Sequence, residues 1–325
     1  MFQEELELVI RPLTNRMVSM KKYGSNILFT LSFICIFSSV IIFYVDQFSG
    51  ASSTTHFPED QSFDIQSCQK WTEDVRTFNI DRAAKGVPVL MYHRIIAEED
   101  LEPIHYDEEG NLYTTIVLEK EFQSQMEFLY NEGFTILTLR EFEGFVDKDI
   151  EVPEKSVLLT FDDGFKDNFH VAFPVLDKFG FTAVNFLITS KITSDDEPFK
   201  VEQGQYLSLR DLNESCGVFE FQSHTYNFHQ RAPEGGAFLV TRSKTEIERD
   251  LNRSDTNLNI SHKAFAYPYG EYGTEAIEVL NKSGYSMAFT VVEGVARPGE
   301  SRYEIPRIGI LPTDNLRDFR EKINP

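Results

Sequence analysis

The sequence predicts an α/β fold: a parallel sheet of about seven strands, curled into a closed or nearly closed barrel with helices packed outside it. Three observations carry this. From Val87 onward, short β-rich runs alternate with helical patterns. Within 119–133, Phe122, Met126, Leu129 and Tyr130 recur at helical spacing. Gly133, Gly180 and Gly284 each stand where such a helix should stop. In a barrel of this kind, functional residues belong at the C-terminal ends of strands.

In chain order, "VPVLMYHRI" reads as a strand and "EKEFQSQMEFLYNEG" as a helix. "SVLLTFDDG" is the next strand, "NFHVAFPVLDKFG" a helix and "TAVNFLITS" a strand. The helix "SLRDLNES", the strand "VFEFQSHT" and the helix "KTEIERDLNRS" follow. "AFAYPYG" (strand), "TEAIEVLNKSG" (helix), "MAFTVVEG" and "IPRIGI" (strands) lead to a last helix from Asn315. The acidic loop 97–113 reads as a solvated insertion, with His105 on the surface.

Upstream of this domain (87–325) the texture differs. Residues 27–45 carry no charge, and about 20 apolar residues span a bilayer core. Arg11, Arg16, Lys21 and Lys22 precede them, so residues 1–26 are expected to stay in the cytoplasm and the rest to be exported, with the helix as an uncleaved membrane anchor. A signal peptide cut near Ser49-Gly50-Ala51 is the alternative, and Met20 is a second possible start. Residues 46–86 are polar and read as an extracytoplasmic stalk, with one short helix near 71–78. The formal net charge of −21 excludes a nucleic-acid partner, since a phosphate backbone needs a basic surface. Three cysteines make no disulfide framework, and Cys68 and Cys216 are read as separate thiols, with pairing the alternative.

Asp162 and Asp163 adjoin at the end of an apolar strand. Two ionised carboxylates sharing a site repel unless a cation is present, and a divalent metal can take one as ligand and leave the other ionised as a base. Gly164 permits the sharp turn that lets both address one point. An exposed Asp-Gly turn is the plainer alternative. "FQSHTYNFHQ" weighs against it. His224 and His229 follow an apolar strand and so occupy a loop at the same rim, and two imidazoles with one carboxylate make a metal set with open positions.

"LLTFDDGF", "SHTYNFH" and "AFAYPYGEYG" resemble the first three motifs of the polysaccharide deacetylases, the NodB-homology domain of carbohydrate esterase family 4. The resemblance covers about residues 87–311 and implies a distorted (β/α)7 barrel. It implies Asp162 as general base; Asp163, His224 and His229 as ligands of a divalent metal, most often Zn2+, with Co2+, Ni2+ or Mn2+ in some members; and Pro268, Tyr269 and Gly270 as the third motif, whose tyrosine N–H holds the oxyanion. Four residues separate the histidines instead of the family's usual three, and Ala266 stands where an arginine usually pairs with the base. A strand ending in His93 opens the domain instead of closing it. These departures resemble the biofilm deacetylases acting on poly-β-1,6-N-acetylglucosamine, in which the barrel is circularly permuted and that histidine is the general acid. Arg307 is a candidate for tuning Asp162. Phe165, Tyr226, Tyr267, Tyr269 and Tyr272 are candidate faces for sugar rings.

The expected activity is removal of N-acetyl groups from an extracellular or cell-wall polysaccharide, at a membrane-held domain outside the cell. Deacetylation of peptidoglycan, O-acetyl ester cleavage on the same fold, and a non-catalytic glycan-binding module are the alternatives.

Overall fold

The computed structural model describes residues 55–323. The strands are β1 (Val87–Tyr92), β2 (Arg94–Ile96), β3 (Ile116–Leu118), β4 (Thr135–Ile136), β5 (Ser156–Asp163), β6 (Ala183–Leu187), β7 (Phe219–Ser223), β8 (Lys263–Ala266), β9 (Tyr285–Phe289), β10 (Val295–Ala296) and β11 (Ile308–Gly309). The α-helices are α1 (Glu119–Asn131), α2 (Leu139–Val146), α3 (Phe173–Phe179), α4 (Leu209–Ser215), α5 (Phe238–Thr241), α6 (Lys244–Leu258), α7 (Thr274–Lys282) and α8 (Leu316–Ile323).

Seven strands form the path β10-β1-β5-β6-β7-β8-β9, parallel throughout except β1 with β10. The sheet curls. Phe289 at the end of β9 bridges to Ile305, and three residues later β11 pairs in parallel with β1. Strand β5 is buried on both faces, which is why Val157, Leu158 and Leu159 are apolar in succession instead of alternating. Val157, Leu159 and Phe161 pack outward with Phe122, Met126 and Leu176 of the covering helices. Leu158 points into the curl, where Val89, Val184, Phe186, Ala264 and Phe289 from neighbouring strands fill the interior. Asp162 follows the same alternation inward, and so the strand delivers a carboxylate to the C-terminal mouth of the curl.

Several expectations are corrected. From Phe57 on, the segment expected as a stalk lies against the sheet domain, because Phe57, Phe63 and Ile65 are buried in its main core. Cys68 and Cys216 form a disulfide, with Cα atoms 5.8 Å apart, which staples this segment down. The helix expected near 71–78 is only a 3₁₀ turn, Lys70–Glu73. Beyond it the Arg76 backbone N–H and guanidinium both bond Glu141 of α2 and hold the chain extended. His105 is buried, not exposed: its Nδ1 accepts the Glu102 N–H at 2.9 Å and its Nε2–H faces the Val201 carbonyl at 3.2 Å. Tyr130 is 58% exposed although Phe122, Met126 and Leu129 on the same helix are buried. The helix expected from Asn168 begins as a π-turn, Asn168–Ala172, before α3. "IPRIGI" contributes only the two residues of β11. Among the described residues no helix is long and apolar enough to cross a membrane, and the segment 27–45 lies outside them.

Candidate active site

Three strand ends meet at the mouth, and each holds a non-glycine residue in the left-handed region: Asp163 at the end of β5 (φ 73°), Thr225 after β7 (φ 78°) and Tyr269 after β8 (φ 60°). Such strain concentrates at functional sites. At Asp163 its purpose is visible. Alternation would send Asp163 outward, beside Phe161, but the positive φ turns it back toward the mouth, where Asp162 already points. Gly164 (φ 76°) completes the turn, and a Cβ there would lie 2.8 Å from the Leu187 side chain.

Asp163 Oδ1 lies 3.3 Å from His229 Nε2 and 3.5 Å from His224 Nε2. One donor atom from each residue falls within 4.8 Å of the others. His224 Nδ1 is 2.8 Å from the Ala266 carbonyl, which only accepts, so the proton is on Nδ1 and the Nε2 lone pair faces Asp163. Burial pushes the His224 imidazolium down to about 3 and also lowers His229, so both rings are neutral donors. Burial, reinforced by the charge on Asp162, raises the Asp163 carboxyl to about 6. Its Oδ1 is buried and has no hydrogen-bond partner. An orphaned carboxylate oxygen among two imidazole lone pairs fits a divalent cation.

Asp162 is held differently. Burial opposes its charge, and the Arg307 guanidinium overrides burial and keeps the carboxyl well below the usual range. The pair is bidentate, 2.7 Å at each contact, and Arg307 is fully buried, anchored by Nε on the Thr290 carbonyl at 2.8 Å. Asp162 therefore stays ionised beside the candidate cation site. His93, in the break between β1 and β2, brings Nε2 to 4.0 Å from Asp162 Oδ2.

The loop joining the two histidines is pinned from outside. Asp250 of α6 accepts the Tyr226 and Asn227 N–H groups at 2.8 and 2.9 Å. Tyr269 is 38% exposed, its ring 4.4 Å from that of His229 with the Arg231 guanidinium stacked over it at 4.4 Å. On the β5 side Phe165 stacks on Tyr206 at 5.0 Å, with the Arg94 guanidinium 5.1 Å from the Phe165 ring. Tyr267 is corrected. Its ring is fully buried, stacked on Tyr272 at 4.3 Å, with its hydroxyl donating to the Tyr303 carbonyl, so it offers no face to a sugar. Pro268 is likewise buried, and Gly270 (φ 68°) turns the backbone against Val291. Tyr226 faces Arg253 at 5.5 Å. Tyr206, Asp250 and Asn168, which bonds the His93 carbonyl, were missed because each lies in a segment without motif character. The π-turn at Asn168 is not visible in composition.

The polysaccharide deacetylase family model matches residues 149–288. The chain is 31% identical over 227 residues to a poly-β-1,6-N-acetyl-D-glucosamine N-deacetylase of Staphylococcus epidermidis, covering 67% of this chain and 77% of that protein. A Staphylococcus aureus protein of the same name is 29% identical over the same shares. Among solved structures, the Streptococcus pyogenes deacetylase PplD in complex with acetate superposes with a TM-score of 0.61 at 26% identity, covering 74% of this chain and 99% of that one. IcaB from Ammonifex degensii gives 0.58 at 26% identity, covering 72% and 95%.

Proposed function

The chain belongs to the polysaccharide deacetylase family and is a hydrolytic N-deacetylase, and from that premise we propose that its substrate is a poly-β-1,6-N-acetylglucosamine-like extracellular polysaccharide. The observation that carries the reading is the pairing of an orphaned, buried Asp163 oxygen between His224 and His229 with an Asp162 kept ionised by Arg307. The staphylococcal relatives supply the polymer class.

Asp163, His224 and His229 would hold the metal; the mixed imidazole and carboxylate donors suit Zn2+, with Co2+, Ni2+ or Mn2+ as substitutes. Bound there, the ion supplies Lewis-acid chemistry, acidifying water and polarising a carbonyl. Asp162 takes the proton of the attacking water as general base. The water oxygen bonds the acetyl carbon, and the Tyr269 N–H, free of an intrahelical acceptor at the second position of its short turn, steadies the oxyanion. His93 gives its proton to the sugar nitrogen as the C–N bond breaks, releasing acetate and an amine. Phe165, Tyr206, Tyr226, Tyr269 and Tyr272 all keep some exposure and are the aromatic rings available to sugar.

The fold is read further as a circularly permuted, distorted (β/α)7 barrel. In support, β1 is first in sequence yet lies between β5 and the last strands. We place the domain outside the cell membrane, held by residues 27–45, with cleavage of that segment as the alternative. The Cys68–Cys216 disulfide supports an oxidising compartment.

Acetate release by the zinc-loaded full chain, measured on a β-1,6-linked N-acetylglucosamine polymer, chitin oligomers, peptidoglycan and acetylated xylan, tests the reading. The first should be fastest. A preference for xylan would mean ester cleavage, a preference for peptidoglycan would move the substrate to the wall, and retained binding with no release would make the domain a glycan-binding module.

A further inference from the structure

His93 sits where the backbone loses its ladder. β1 ends at Tyr92, paired with Phe161, and β2 begins at Arg94 with a different partner, β3. The segment is held instead by two adjacent side chains of the loop after β5. Asp167 accepts the Ile95 N–H at 3.2 Å and the Arg94 Nε–H at 2.8 Å. Asn168 Nδ2 donates to the carbonyl of His93 itself at 2.6 Å. Asn168 is fully buried and opens the π-turn Asn168–Ala172, a helix form frequent at functional sites.

Two neighbours set which way the Asn168 amide faces: Asp167 Oδ1 accepts from its Nδ2 at 3.2 Å, and Asn185 acts on its oxygen. Asn185, fully buried on β6, donates its Nδ2 to Asn168 Oδ1 at 3.0 Å. With its oxygen on that donor, Asn168 turns its NH2 to the His93 carbonyl and the Asp167 carboxylate. Asn185 keeps its own Oδ1 buried and without a partner. Burying an amide in this way costs free energy that a purely structural core avoids with apolar side chains. The chain of amides runs from the central strand to one carbonyl, that of the residue whose imidazole stands 4.0 Å from Asp162.

We propose that Asn168 is a positioning residue for the general acid: it fixes the His93 backbone, oriented in turn by Asn185, so that the imidazole meets the leaving nitrogen. The proposal rests on the reading of His93 as the acid. Misplacing a reacting group by about 1 Å costs on the order of 100-fold in rate.

The test is a double-mutant cycle on the zinc-loaded full chain with a β-1,6-linked N-acetylglucosamine oligomer as probe. Asn168→Ala should lower kcat about 10- to 100-fold with KM within about 2-fold. Zinc stoichiometry should be unchanged. In the His93→Ala background the same substitution should cost nothing further, since the group it positions is gone. Asn185→Ala should show the same pattern at smaller size, and it takes over the decision if Asn168→Ala does not fold. An equal loss from Asn168→Ala in both backgrounds, or an unchanged kcat in the wild-type background, overturns the positioning role while leaving His93 as the acid. Wild-type kcat in His93→Ala overturns the acid assignment itself, and the proposal with it.

Discussion

Asp163, the last residue of β5, and Lys166, in the loop that follows, lie three residues apart, both more than nine-tenths buried. Their surroundings are opposite. Lys166 Nζ is held by Asp211 at 2.7 Å and Asp196 at 2.9 Å, and Asp211 also accepts the Ser208 N–H that caps α4. Every charge there has its counter-charge, and the cluster fastens the 194–211 segment to the domain. Asp163 shares its space with two neutral imidazoles, carries one oxygen with no partner, and holds a backbone conformation that costs energy. A buried charge that is fully paired is part of the scaffold. One left incomplete, under strain, at the mouth of a curled sheet is waiting for a ligand.

That contrast can be broken or sharpened by experiment. The largest effect is expected at the incomplete cluster. Asp163→Asn or His224→Ala should remove zinc from the purified chain by elemental analysis and lower kcat by about 1,000-fold or more, with little loss in melting temperature. Zinc retained at full stoichiometry in both would end the assignment of these ligands. Asp162→Asn separates the base from the metal: zinc should remain while kcat falls about 100- to 10,000-fold. The paired cluster should behave in reverse. Lys166→Met strands the Asp211 carboxylate in the interior and is expected to cost about 3 kcal/mol in urea unfolding, with zinc content untouched. A comparable penalty, about 2–4 kcal/mol, is expected for Cys216→Ser, which frees the segment stapled at Cys68; kcat below the melting transition should not change.

The smallest effect concerns another buried acid, Glu220 on β7, which burial pushes up to about 8 from 4.5. The folded chain keeps this proton to about pH 8, whereas the unfolded chain releases it near 4.5. The native state therefore binds more protons in that window, so the stabilising contribution is full below about pH 4.5 and is lost as pH rises through 8. Glu220→Gln should flatten this slope in denaturant melts at pH 5 and pH 8.5. An unchanged slope would mean that another group sets it.

The alternation of strands and helices, and the helix stops at Gly133, Gly180 and Gly284 with their positive φ angles, were legible because both are local: a few residues of pattern specify each. Asp162, Asp163, His224 and His229 were legible for the same reason, since polar residues directly after an apolar strand must emerge at its C-terminal end. What the pattern could not supply was partnership. His105 looks exposed in an acidic loop and is buried because Glu102 and Val201 close on it. Tyr267 looks like a sugar platform and is core because Tyr272 and Tyr303 cover it.

The sequence by itself determined the class of fold, the rim on which chemistry would occur, and the residue types gathered there. Only the tertiary structure decided that Arg307 reaches Asp162 across 145 residues, that Cys68 meets Cys216 across 148, and that Asn168 rather than any motif residue bonds the His93 carbonyl. Periodicity records which face of its own element a residue occupies. It carries no record of which distant element packs against that face, and the pairing of buried charges, thiols and amides depends on that alone.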